Sequence, residues 1–209
     1  LQATNVLDLG CGSGIAGLAA SVCCSPHRVV LSDNVQTCRE LAYTNSRLQT
    51  RSSCMFDVAS YGWMPGDAWP SERGGFGLIL ASDCLYSSFD EVRSFEKWGD
   101  RYHDGRALIR FVATLDWCLS PGGTVLIGFD MRNSMDVERI VDALLEGGFS
   151  HQLLSAKDCL TDEMYSLPAN AASHSAVVLR CSRVGEEAAV LVGAHQRRLS
   201  CRRAAAAAA

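Results

Sequence analysis

Short apolar runs alternate along the chain with stretches whose apolar positions recur at helical spacing, so the pattern reads as strands and helices in turn. Residues 4–9 predict a first strand and 14–22 a first helix. His27–Asp33 predicts a second strand ending in an acid. Residues 34–49 predict a helix with Val35, Cys38, Leu41, Ala42, Asn45 and Leu48 on one stripe. Ser53–Val58 is a third strand, and 59–75 a loop whose Trp63 and Trp69 either line a cleft or pin it to the body. From Phe76 the run is apolar without alternation, which suits a strand covered on both faces. Residues 90–106 are mixed and read as partly helical; Leu108, Phe111, Val112, Leu115, Cys118 and Leu119 then mark an amphipathic helix. Pro121-Gly122-Gly123 turns into the strand Thr124–Phe129, and Ser134 caps a helix over 135–146 that stops at Gly147-Gly148. Phe149–Leu154 and Ser175–Arg180 are two last strands joined by a loop, which predicts antiparallel pairing. Five strands alternating with helices imply an α/β fold with a parallel sheet covered on both faces.

The chemistry concentrates at the end of the first strand, where Asp8-Leu9 leads into Gly10-Cys11-Gly12-Ser13-Gly14. Glycine allows positive φ and leaves no Cβ in the way of a ligand. The spacing is G-x-G-x-G; a dinucleotide-type G-x-G-x-x-G would place its third glycine where Ile15 stands. Asp8 would repel a pyrophosphate and suits a ligand carrying positive charge. An ordinary tight βα turn is the alternative. Asp33 follows Gly10 by 23 residues, near the separation at which an acid after the second strand meets a ribose hydroxyl pair. It also suits a helix cap. Asp57, closing the third strand, either accepts from an adenine amino group or is a solvated loop acid. The fourth strand ends in Asp83-Cys84-Leu85-Tyr86, an acid and a phenol at the edge where open α/β sheets bind ligands.

With 209 residues, 48% hydrophobic and 20% charged, the chain reads as one globular domain over 1–184 and a basic, alanine-rich extension over 185–209. A net charge of −4 gives no basic face for nucleic acid. The ten cysteines form neither a disulfide framework nor a C-x-x-C or Cys/His metal spacing, and fit reduced thiols in an intracellular setting, cytoplasmic or nuclear. No metal is expected. No apolar run is long enough to span a bilayer, so no membrane partner is expected.

Residues Val6–Arg180 resemble methyltransferase family 16 of the class I S-adenosylmethionine (SAM) methyltransferases, the group with the methyltransferase-like 21 protein-lysine enzymes. The likeness lies in Asp8–Gly14, Ser32-Asp33, the D-x-x-Y motif Asp83–Tyr86 and the Pro-Gly-Gly turn. It implies a Rossmann-like, doubly wound, mostly parallel seven-stranded sheet with the last strand antiparallel, SAM as cofactor, and a lysine-bearing protein as substrate. It also implies that Asp8, Gly10 and Gly12 surround the methionine part of SAM and that Asp33 meets the ribose, with Cys11, Gly14 and Asn34 also binding the cofactor. Asp57 would meet the adenine, Ala81 and Ser82 would complete the cofactor side, and Asp83 and Tyr86 would act on the substrate amine. Two departures stand out. Val58 occupies the position where the family often has a Trp, and the family's N-terminal Trp-containing segment would precede Leu1. A docking module that binds SAM weakly, a protein-histidine enzyme and a small-molecule enzyme are the other readings. The sequence leaves the oligomeric state open.

Overall fold

In the computed structural model, residues 5–49, 53–63, 68, 70–85, 106–130, 134–154 and 176–184 are described. The predicted segment 90–106, apart from Arg106, and the extension 185–209 lie outside them, as do Trp69 and Tyr86.

The elements run β1 (Asn5–Leu9), α1 (Ile15–Cys23), β2 (Arg28–Ser32), α2 (Gln36–Leu48), β3 (Met55–Ala59) and β4 (Phe76–Ser82). They continue as α3 (Arg106–Cys118), β5 (Leu119–Asp130), α4 (Ser134–Glu146), β6 (Phe149–Leu154) and β7 (Ala176–Arg183). All seven strands form one sheet in the order β3-β2-β1-β4-β5-β7-β6. β1 to β5 pair in parallel, and β7 lies antiparallel to both β5 and β6. The expected doubly wound sheet with its last strand reversed is therefore present.

The sheet carries an apolar layer on each face, which is why its central strands read as unbroken apolar runs. Leu7, Leu9, Ile79, Ala81, Val125 and Ile127 pack with Phe111 and Leu115 of α3 and with Ile140 and Leu144 of α4. Val6, Val29, Leu31, Leu78 and Leu80 pack on the opposite side with Ala20 of α1 and Ala42 of α2. Each large side chain fully buried in this way contributes roughly 1.5–3 kcal/mol.

Two elements differ from expectation. In α2 the predicted stripe is not a buried face: Ala42 and Ser46 are buried, whereas Val35, Leu41 and Leu48 are 47%, 49% and 74% exposed. The cause is a close approach through small residues, since a Cβ on Gly14 would stand 3.3 Å from the Ala42 Cβ. The contact line is narrow, and the large residues flank it. In β5 pairing begins earlier than predicted, with Leu119 opposite Phe76; residues 120–123 then stand out of register before Thr124 meets Leu78.

β2 and β3 lie on one side of β1 and β4 lies on the other, so the chain reverses its winding between β1 and β4. That reversal opens a crevice beyond their carboxyl ends. Helix α1 is seated beneath it by Gly17, where an added Cβ would meet Leu31 Cδ2 at 2.5 Å and Asp8 Oδ2 at 3.1 Å. Gly17→Ala is expected to destabilise the fold by about 1–3 kcal/mol through overpacking. Urea unfolding measures it, and an unchanged midpoint would show that α1 can move away without cost.

Candidate functional site

The turn after β1 is built from three left-handed residues, Gly10, Gly12 and Gly14, at φ 74°, 52° and 81°. Any side chain at these positions would be strained, which accounts for the alternate glycines. The turn's amides are directed inward. Gly10 and Cys11 both donate to the Ser32 carbonyl at 2.9 Å, Gly14 donates to Cys11 O at 2.7 Å, and Gly12 donates to Asp33 Oδ2 at 3.0 Å. These four N–H groups are thus committed within the protein and offer no cradle for a diphosphate.

Asp33 ties the turn to the next helix. Its Oδ1 accepts from Val35 N at 2.8 Å, its carbonyl from Arg39 Nη1 at 2.8 Å, and its own N–H donates to Ala59 O at 3.2 Å. The capping role and a ligand role coexist here, because a carboxylate has about four acceptor positions and two are filled by backbone. Asn45 Nδ2 donates to Ser13 O at 2.9 Å, fixing α2 to the turn.

Asp8 lies beneath the turn and is only 1% exposed. Its Oδ2 accepts from Gly17 N at 2.8 Å, while Oδ1 is enclosed without a hydrogen-bond partner. Burial raises its carboxyl to about 6, the Gly17 amide pulls the other way, and the Asp33 charge adds to the rise. Two carboxylates and a bare acceptor oxygen under one turn make the site suited to a cation. Burial, reinforced by the Asp8 and Asp33 charges, also pushes the Cys11 and Cys84 thiols far up, so neither is a nucleophile.

Across the crevice, extending the β1–β4 register brings Gly10 beside Ser82. Ser82 is exposed, whereas the Ala81 side chain is buried in the core facing α3. Asp83 follows in a left-handed conformation, φ 47°, with its N–H donating to Gly128 O at 2.6 Å. A non-glycine residue in this region marks local strain, held here by the neighbouring strand. Asn34 is exposed at the β2 end.

Asp57 is not brought to this edge. It sits mid-strand opposite Val30, and its carboxylate is paired with Arg28, which also binds Glu72 Oε1 at 2.8 Å. The strand runs one residue beyond the predicted Val58 and ends at Ala59, so Asp57 lies within β3 and not at its end.

Trp63 and Gly17 were not singled out as site residues. Trp63 is buried, its ring packs edge-on against Phe111 at 5.3 Å, and its carbonyl accepts from Arg110 Nε at 3.0 Å. Ring carbons Cη2 and Cζ3 lie over Gly10, where a Cβ would meet them at 2.9 and 3.3 Å. Of the two readings of this tryptophan, the structure supports the pin. The sequence signals were an indole just past a strand end and a lone glycine inside an apolar helix.

Residues 1–97 match the family model described as lysine methyltransferase. No curated protein matches the chain. Among solved structures, ribosomal protein L11 methylase from Lactobacillus delbrueckii subsp. bulgaricus is 19% identical, with a TM-score of 0.54 over 87% of this chain and 70% of that one. A TehB-like SAM-dependent methyltransferase from Corynebacterium glutamicum is 16% identical, with a TM-score of 0.56 over 87% of this chain and 80% of that one. The (4+2) cyclase SpnF is 17% identical, with a TM-score of 0.54 over 87% of this chain and 76% of that one. The chain has the fold of the SAM-dependent methyltransferases, and its first 97 residues carry the lysine methyltransferase match.

The raised Asp8 carboxyl has a consequence for stability. The fold disfavours its ionised form, so the stability present below the unfolded value of 3.8 is lost as pH rises through about 6. Asp8→Asn should therefore gain on wild type, by on the order of 2–3 kcal/mol, between about pH 4 and pH 8. Urea unfolding of both proteins across that range tests it; a constant difference would contradict the buried charge.

Proposed function

We propose that this chain is a SAM-dependent methyltransferase acting on a lysine side chain of a protein substrate, with its methyltransferase domain over 1–184 and an extension over 185–209. The observation that carries the reading is the enclosed Asp8 carboxylate with one bare oxygen beneath an inward-turned glycine turn. A cationic ligand answers it; a diphosphate does not. The match over residues 1–97 supports the choice of lysine.

The residues present fit SAM. Asp8 would receive the ammonium, and the Asp33 carboxylate has acceptor positions left for a ribose hydroxyl pair. A Cβ on Gly12 would meet nothing within 4 Å, so ligand atoms have room beside the turn. SAM when bound supplies a methyl group already activated by the sulfonium. The protein's own task is then alignment and deprotonation.

Neutralising a lysine ammonium at pH 7 costs about 4.6 kcal/mol from its ordinary value near 10.4. In this reading Asp83 orients the incoming amine from the end of β4, where the Gly128 carbonyl fixes its backbone. Tyr86 shapes the channel and relays a hydrogen bond. Water excluded from that channel lowers the amine's affinity for its proton. We assign the enzyme to the cytoplasm or nucleus; the eight described cysteines are all free, and no described helix is long and apolar enough to cross a membrane.

A second reading rests on one finding: the same fold serves a protein described as a cyclase, so fold alone does not give the reaction. In that case the site binds SAM without transfer.

Calorimetry with SAM separates these. Saturable binding is expected for wild type, and Asp33→Ala should weaken it by about tenfold or more while remaining folded by circular dichroism. Asp83→Asn should bind SAM as wild type does yet lose about 10²-fold or more in methyl transfer to protein lysine, read by mass spectrometry. Undiminished transfer by Asp83→Asn would remove its role, and SAM binding without transfer by wild type would favour the second reading.

A further inference from the structure

Asp8 and Asp33 are the two buried acids among the described residues, and both lie at the glycine turn. They are satisfied unequally. Asp33 has an amide on each carboxylate oxygen, Gly12 N on Oδ2 and Val35 N on Oδ1, and the Arg39 guanidinium is turned to its carbonyl. Asp8 has Gly17 N on Oδ2 and nothing on Oδ1.

None of the described residues pairs a positive charge with Asp8. Leu31 of β2 and Leu80 of β4 stand opposite it in the sheet, and α1 carries no charged side chain. The titratable groups around it are Asp33 beyond β2, Cys11 in the turn and Cys84 beyond β4, with Cys38 and Asp83 behind those thiols. Burial keeps Cys11 and Cys84 uncharged, so the charge that Asp8 faces is the Asp33 carboxylate. An enclosed carboxylate that faces another and lacks a donor on one oxygen is eased either by a proton or by a cation.

We propose that Asp8 couples ligand capture to proton release: the free protein keeps a proton on this carboxyl, and an arriving cationic ligand sends it to solvent. This rests on the reading of the site as one for SAM and adds a pH dependence to it. The ligand's charge need only come near. A unit positive charge about 6 Å away, at an effective dielectric constant near 20, changes proton affinity about 100-fold. The Asp8 charge already reaches Cys11 and Cys84, on the two sides of the crevice. Protons and SAM then compete, and affinity falls about tenfold per unit as pH drops below about 6.

The test is calorimetry on the full chain with SAM between pH 5 and pH 7, where the ligand's amine stays a cation. Two buffers of different ionisation enthalpy at each pH count the protons. Wild type should release about half a proton per SAM at pH 6 and about a tenth at pH 7, and bind about tenfold more weakly at pH 5 than at pH 7. Asp8→Asn should release none at pH 6 and bind equally across the range. Flat wild-type affinity from pH 5 to pH 7, or undiminished proton release by Asp8→Asn, would overturn the proposal. If Asp8→Asn fails to fold or to bind, carbon-13 spectra of aspartate-labelled wild type decide. One carboxyl must titrate near pH 6 in the free protein and below pH 5 with SAM, and its absence is fatal. Wild type that binds no SAM at pH 7 sinks the SAM reading itself, a failure distinct from binding that ignores pH.

Discussion

The carboxyl edge of the sheet depends on one hydrogen bond between a strand and a helix, from the Gly17 amide to the Asp8 carboxylate. It exists because residue 17 has no side chain; any larger residue would push α1 off β1 and β2. The bond sets how tightly the chain must turn between Leu9 and Ile15, and the three left-handed glycines are the solution to that constraint. It also holds a carboxylate in the first turns of α1, where the amide dipoles favour negative charge and offset part of the burial penalty. The remaining penalty shows as the raised Asp8 carboxyl. A site that keeps an acid partly destabilised is prepared for a cation that relieves it.

The central strands were legible because a sheet covered on both faces demands apolar runs; the apolar run Ile15–Ala20 of α1 was told apart by its small residues and the glycine turn before it. The glycine turn was legible because its φ values restrict the residue type. Contact depth was not. The α2 stripe contained apolar residues, but how far they sink depends on Gly14 and Ala42, which lie far apart in sequence. Asp57 was expected at the end of a strand stopping at Val58, whereas pairing with β2 carries β3 on to Ala59 and leaves Asp57 opposite Val30. Trp63 could be noticed but not assigned, since its neighbours Gly10, Cys84 and Phe111 come from three distant segments.

Trp63 is held by more than its own packing. The connection from β3 to β4 runs along α3 and is fastened at several heights. Arg110 holds the Trp63 carbonyl, Trp117 Nε1 donates to Pro70 O at 3.0 Å, and Gly74 N donates to Trp117 O at 2.7 Å. Arg73 lies over the Trp117 ring at 5.0 Å, and Glu72 is clamped by Arg28 at the opposite end of the sheet. Exposed ion pairs of this kind contribute little individually. Their effect here is positional: they fix the length of chain left to reach Gly10.

The reversed last strand governs the order in which the molecule can be completed. Among the described strands, β7 is the only neighbour of β6 in the sheet and the outer neighbour of β5, yet it comes last in sequence. On a ribosome, β5 emerges with one edge open, and β6 emerges with no strand to pair with. The half-sheet β3-β2-β1-β4-β5 can form first, and residues 176–183 then insert between two strands already synthesised. Until they do, the nascent chain carries an unpaired edge beside an apolar face, the condition under which strands join the wrong partner. The crevice at β1 and β4 lies away from that late seam, so the ligand-facing half of the protein can take shape before the chain is finished.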